Sequence, residues 1–241
     1  TYMIGNAVYN ACLDVKAKFL RVIADYWNVD VQCIQMRNRR VYVEGHSRFN
    51  LPLEDAVDVC KKIRGVVPVG CGTFTAHHEP LDPETGKGNP WQAYVFGSQV
   101  AEVAVDTYTG EVHVLGIWAS HDVGRVVNPQ GVKAQIEGGA VQSLGQAIME
   151  DFPLKDGIPV NQSFAKYVLP TSVDIPAFYT DLVEDPDPLS PLGAKGIGEP
   201  APLPTLPAII NAIYDAVGVR ITSLPASPEK VLCAMHNRPV H

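Results

Sequence analysis

Gln99-Val100-Ala101-Glu102-Val103-Ala104-Val105, Asp106-Thr107-Tyr108-Thr109-Gly110 and Glu111-Val112-His113-Val114-Leu115-Gly116-Ile117 form the run that decides the fold. The first and third pieces alternate apolar and polar residues, and the middle piece has turn composition, so the run predicts two antiparallel strands. A few residues on, Asn128-Pro129 has the signature of a helix start, an Asn cap followed by Pro in the first turn. Val132, Ile136, Ala140, Val141 and Leu144 continue that helix to about Met149. Helices and strands are interspersed without a regular strand–helix–strand alternation, which sets the class as α+β.

Working outward, apolar residues at helical spacing from Asn6 to Trp27 predict a long first helix. Val31 to Met36 and Arg40 to Glu44 alternate around Arg37-Asn38-Arg39, giving a hairpin whose arginines read as a solvated turn. Leu53 to Ile63 reads as a short helix, Val66 to Ala76 as a strand, and His78 to Pro90 as a loop broken by Gly and Pro. Asp151 to Pro202 lacks regular periodicity, and an irregular segment of that length inside a folded chain is usually functional or disordered. Its apolar pieces, Tyr167-Val168-Leu169 and Phe178-Tyr179, favour function. A helix over Leu206 to Val217, a strand over Val219 to Leu224 and a Ser227-capped helix to Met235 close the chain.

The composition narrows the function. With 241 residues, 46% of them hydrophobic, the chain can bury a substantial core. A formal net charge of −7 argues against a nucleic-acid partner, which needs clustered Lys and Arg. No apolar run approaches the roughly 18 residues of a membrane helix, and no leader pattern opens the sequence, so a cytoplasmic location is expected. The five cysteines, Cys12, Cys33, Cys60, Cys71 and Cys233, form no C-x-x-C pair and read as buried free thiols rather than zinc or iron–sulfur ligands. His77-His78-Glu79 enters a Pro/Gly loop where adjacent imidazoles diverge, so no metal ligand is assigned. His121-Asp122 lacks a nucleophilic serine motif.

Chemistry concentrates in Gly193-Ala194-Lys195-Gly196-Ile197-Gly198-Glu199-Pro200. Closely spaced glycines let a backbone approach a ligand, and a carboxylate between Gly and Pro is held at a defined place. Kept from water, such a carboxylate serves as a general base; in the open, the run is a turn bearing an exposed Glu. Gly138-Gly139, inside the long helix, costs about 1 kcal/mol per glycine relative to Ala. That pair points either to a ligand or to the close approach of another backbone.

The Glu199 run resembles the glycine-rich glutamate loop of the xanthine dehydrogenase/aldehyde oxidase molybdenum hydroxylases. Three more segments resemble that family in the same order: Asp122-Val123-Gly124-Arg125-Val126-Val127-Asn128-Pro129, the helix segment Gln135 to Gly145, and Tyr167 to Pro176. Phe96-Gly97-Ser98-Gln99 resembles a further family run, with no role for Gln99 beyond strand packing.

The resemblance implies the mixed helices and sheets of the second molybdenum-cofactor-binding domain. Residues 1–241 would be the C-terminal part of the molybdopterin-binding region, with subdomains at about 1–125 and 126–241. It implies Glu199 as the base that takes a proton from the water-derived oxygen, which attacks an electron-poor carbon of an N-heterocycle or aldehyde. Gln135 would hydrogen-bond the pterin, and Gly193, Ala194, Lys195, Gly196 and Gly198 would line the cofactor pocket. The molybdenum–molybdopterin cofactor would be shared with an N-terminal half or subunit, and 2Fe-2S and FAD would sit on other domains or subunits. The alternative is a non-catalytic assembly or docking fragment that keeps the fold without bound cofactor.

Overall fold

Helix α1, Tyr2–Trp27, begins earlier than its periodic pattern and buries Phe19, Ile23 and Ala24. In the computed structural model, which describes residues 2–76 and 78–237, this helix opens the first of two units, Thr1–Pro90 and Trp91–His241. Strands β1 (Ile34–Arg37), β2 (Arg40–Val43) and β3 (His46–Pro52) form an antiparallel meander, with Ile34 facing Val43 and Arg40 facing Pro52. Asn38 and Arg39 both take positive φ at the first turn. Helix α2, Leu53–Asp58, runs into a π turn over Val59–Ile63. Ile34, Val41, Ala56, Val59 and Cys60 join the buried α1 residues in one core.

Val66 to Ala76 is not a strand. Polar side chains of α1 hold its backbone instead: Asn10 Nδ2 donates to Thr73 O at 2.8 Å, Lys18 Nζ to Val69 O at 3.0 Å, and Asp14 Oδ2 accepts from Cys71 N at 2.8 Å. With those groups satisfied by a helix, the β-rich composition has no neighbouring strand to pair with.

In the second unit, β4 (Gly97–Val105) and β5 (Val112–Asp122) pair antiparallel, with Val105 facing Val112 and an irregularity between Glu102 and Val103. Helix α3, Pro129–Ile148, starts where its cap requires: Asn128 Oδ1 accepts from Gly131 N at 3.1 Å. After a minimal hairpin, β6 (Leu154–Lys155) and β7 (Ile158–Pro159), the chain returns as β8, Ala177–Val183. β8 pairs parallel with β5, completing the sheet order β4-β5-β8. A parallel neighbour needs a crossover connection, and α3 supplies its helix. β5, α3 and β8 all lie within the unit Trp91–His241.

Helix α4, Thr205–Val217, and helix α5, Pro228–Met235, finish the fold. Ile209 and Ile213 of α4 pack with Val112, Ile117, Leu144, Ala147, Ala226 and Val231. The expected strand at Val219 to Leu224 is also absent. There Arg220 folds back on α4, its guanidinium carbon 3.7 Å from the Tyr214 ring centroid and its Nη1 donating to Asn211 Oδ1 at 2.7 Å. No helix among the described residues is long and apolar enough to cross a membrane. Ile209 is fully buried, so Ile209→Ala is expected to cost about 2–5 kcal/mol of stability, measured by chemical denaturation.

Candidate active site

The three segments 122–129, 135–145 and 193–202 come together beside the sheet. Asp122 ends β5, and Gly124 bridges antiparallel to Ala194. Lys195 N donates to Val123 O at 3.0 Å, and Arg125 N to Gly193 O at 2.8 Å. The approach is so close that a Cβ on Gly124, itself at φ +66°, would stand 2.2 Å from Gly193 O. Lys195 Nζ then reaches under the loop to Asp122 Oδ2 at 2.6 Å, both side chains being under 10% exposed (6% and 7%), and to the exposed Asp185 at 3.3 Å. Asp122 Oδ1 also accepts from Gly124 N at 2.9 Å. Burial alone would pull the Lys195 pKa down, but the hydrogen bonds and charges of Asp122 and Asp185 outweigh it and hold the ammonium above its ordinary value.

Beyond Lys195 the loop alternates in and out. Ile197 and Ala201 are buried with Ala119, Val123 and Ile136, whereas Gly196, Gly198 and Glu199 are exposed. Gly139 of α3 makes room for the far end of the loop, since a Cβ there would meet Ala201 Cβ and Pro202 Cδ, each at 2.9 Å. Ser143 Oγ, one turn along, donates to Pro202 O at 2.7 Å. The glycine pair on α3 therefore divides its work: Gly139 admits the loop backbone, and Gly138 faces open space.

The sequence-derived residues separate into two groups. Gln135, Gly196, Gly198 and Glu199 are each exposed. A Cβ on Gly198 would meet only Gln135 Oε1, at 3.5 Å, and one on Gly196 would meet nothing within 4 Å. An amide with donor and acceptor ends thus stands beside a backbone stripped of side chains, a cradle that suits a heterocycle with its own donors and acceptors. Gly193, Ala194 and Lys195 form the support underneath: the Gly193 carbonyl is used by the backbone, Ala194 is buried, and Lys195 is spent on two carboxylates. The sequence could not separate these groups because the alternation depends on which residues face α3. Tyr167 donates to Glu150, and Thr171 and Asp174 close a local turn, the Thr171 hydroxyl donating to Asp174 Oδ2 at 2.7 Å. His77 of the His-His-Glu run lies outside the described residues.

These matches extend to known proteins. The chain belongs to the molybdopterin cofactor-binding domain family, which it matches over residues 1–176. It is similar to a probable xanthine dehydrogenase subunit of Bacillus subtilis, 35% identical over 164 residues, covering 68% of this chain and 22% of that protein. To the gamma subunit of the 6-hydroxypseudooxynicotine dehydrogenase complex of Paenarthrobacter nicotinovorans it is 38% identical over 241 residues, covering 96% of this chain and 29% of the relative. The solved aldehyde oxidoreductase of Desulfovibrio desulfuricans shares the fold with a TM-score of 0.73 at 31% identity, over 96% of this chain and 22% of that one. The chain thus spans less than a third of each relative's length.

Breaking the buried pair tests the support. Lys195→Met leaves Asp122 without its cation in a nearly dry site and is expected to cost about 3 kcal/mol, read by denaturation at pH 7. Because the folded-state pKa of Lys195 is raised, its contribution is full below the ordinary lysine value of 10.5 and is lost as pH rises through the higher folded value. The gap between wild type and Lys195→Met should therefore stay constant through neutral pH and narrow only under strongly alkaline conditions.

Proposed function

We propose that this chain forms one wall of the cofactor site in a molybdenum hydroxylase acting on an N-heterocycle or aldehyde, with Glu199 as the catalytic base. The observation that carries this reading is the approach of the exposed Gln135 amide to Gly198, with exposed Gly196 and Glu199 close by along the same loop. When bound, the molybdenum–molybdopterin group supplies two-electron redox chemistry and the means to use oxygen from water. Gln135 Oε1 and Nε2 would bond complementary pterin atoms, and Gly196 and Gly198 would let the group close on the backbone. Gly193, Ala194 and Lys195 serve it indirectly, by holding that backbone still. The Glu199 carboxylate would accept a proton from the water-derived oxygen as that oxygen turns on the substrate.

Glu199 is open to solvent on this chain, and a general base works best where bulk water is excluded. The covering wall is assigned to an N-terminal molybdopterin-binding half or subunit. Electrons would pass to 2Fe-2S and FAD groups on other domains or subunits, in the cytoplasm. Both the Bacillus and the Paenarthrobacter relatives are named as subunits of larger enzymes, which supports a shared assembly.

The test is metal and pterin analysis of the chain produced with the polypeptide that completes the site, comparing wild type with Glu199→Gln. Near-stoichiometric molybdenum is expected in both, with hydroxylation falling at least about 10²-fold in the variant. Full activity in Glu199→Gln removes the base assignment. Failure to load molybdenum with any partner removes the cofactor reading and leaves an assembly module.

A further inference from the structure

An exposed carboxylate with no hydrogen bond to the described residues takes its position from the backbone beneath it. Upstream of Glu199 the backbone is fixed by the Lys195 pair. Downstream, one side chain reaches it from β4: Gln99. Its Nε2 donates to Ala201 O at 3.0 Å and lies 2.9 Å from His121 Nε2 on β5, and its Oε1 accepts from the Thr205 hydroxyl at the start of α4. The Ala201 carbonyl can only accept, so it fixes which end of the amide faces it. The second Nε2 hydrogen then points to His121 Nε2, an acceptor role that only a neutral imidazole can fill, while Nδ1 of the fully buried ring has no hydrogen-bond partner among the described residues. Burial pushes the His121 pKa down, in the same direction. Both polar atoms of the Gln99 amide are thereby committed, two of the three contacts going to the segment just after Glu199.

We infer that Gln99 is a positioning residue, its amide bolting the Ala201 carbonyl and Thr205 to the β4–β5 pair so that the Glu199 loop has one position. This rests on the reading of Glu199 as the base. Strand packing alone does not account for an amide whose partners lie 102 and 106 residues away on the loop and helix that follow Glu199. Apolar side chains of similar size would fill the same space without fixing the loop.

The experiment compares Gln99→Met, Thr205→Val and Ile213→Val in the molybdenum-loaded enzyme, with Glu199→Gln alongside. Ile213 is buried under the sheet away from the loop and serves as the control for simple destabilisation. Gln99→Met should lower kcat per molybdenum by about 10- to 100-fold, with KM changing less than about twofold because substrate contacts are untouched. Hydrogen–deuterium exchange of the amides from Gly198 to Leu203 should accelerate in the same variant. Thr205→Val, which keeps its shape and removes one contact, should shift both readouts the same way by less, and it carries the test if Gln99→Met does not fold. Ile213→Val should leave kcat and exchange in the loop unchanged. Unchanged loop exchange in Gln99→Met and Thr205→Val, or a kcat loss no greater than that of Ile213→Val, overturns the proposal. Full activity in Glu199→Gln would instead remove the base assignment, and loop exchange would still report whether Gln99 fixes the backbone.

Discussion

A lysine and an aspartate, each more than nine-tenths buried, meet at 2.6 Å where the central strand ends. Neither charge is tolerable there alone, because desolvating an unpaired ion costs several kcal/mol. The pair therefore admits only a narrow set of arrangements for the two segments that carry it. Strand β5 must end at Asp122, and the loop after β8 must bring Lys195 back beside it. The antiparallel bridge from Gly124 to Ala194 and the bonds around Gly193 follow from that closeness. Such a pair adds little net stability compared with an apolar substitute of the same shape, but it restricts where the loop can go.

From that anchor the loop gains a two-sided character. Residues facing α3 are apolar, Ile197 and Ala201, and the exposed residues between and beside them carry no side chain or a carboxylate. Gly139 lets the loop sit directly on the helix, and Ser143 and Gln99 take up the carbonyls of Pro202 and Ala201. Burying backbone carbonyls without partners would cost about 1–3 kcal/mol each, so these side chains set the path of the loop as much as the apolar contacts do. The outcome is a rigid support beneath an open face, the condition a base or a cofactor contact needs to act from a fixed position.

Much of the scaffold was legible in the chain. The β4–β5 pair declared itself by alternation across a polar turn, and α3 by Asn128-Pro129, whose cap bond forms as expected. Strand β8 did not, because its partner lies across a helical crossover and no adjoining turn marks the pairing. Val66 to Ala76 and Val219 to Leu224 have strand composition yet pair with no strand, their neighbours being helices. Composition records what a segment tolerates, and the neighbour decides what it becomes.

The same division holds at the site. The sequence by itself determined the chemical inventory and its order along the chain: a glycine-rich loop ending in Glu199, a helix bearing Gln135 and paired glycines, and the segments that mark the family. Only the tertiary structure decided which of these face outward. It turned Lys195 inward to a buried pair, split Gly138 from Gly139, and gave Gln99 three partners on three elements. The physical reason is that side-chain commitment depends on contacts between residues up to 106 positions apart, and local pattern carries no information about a partner that distant.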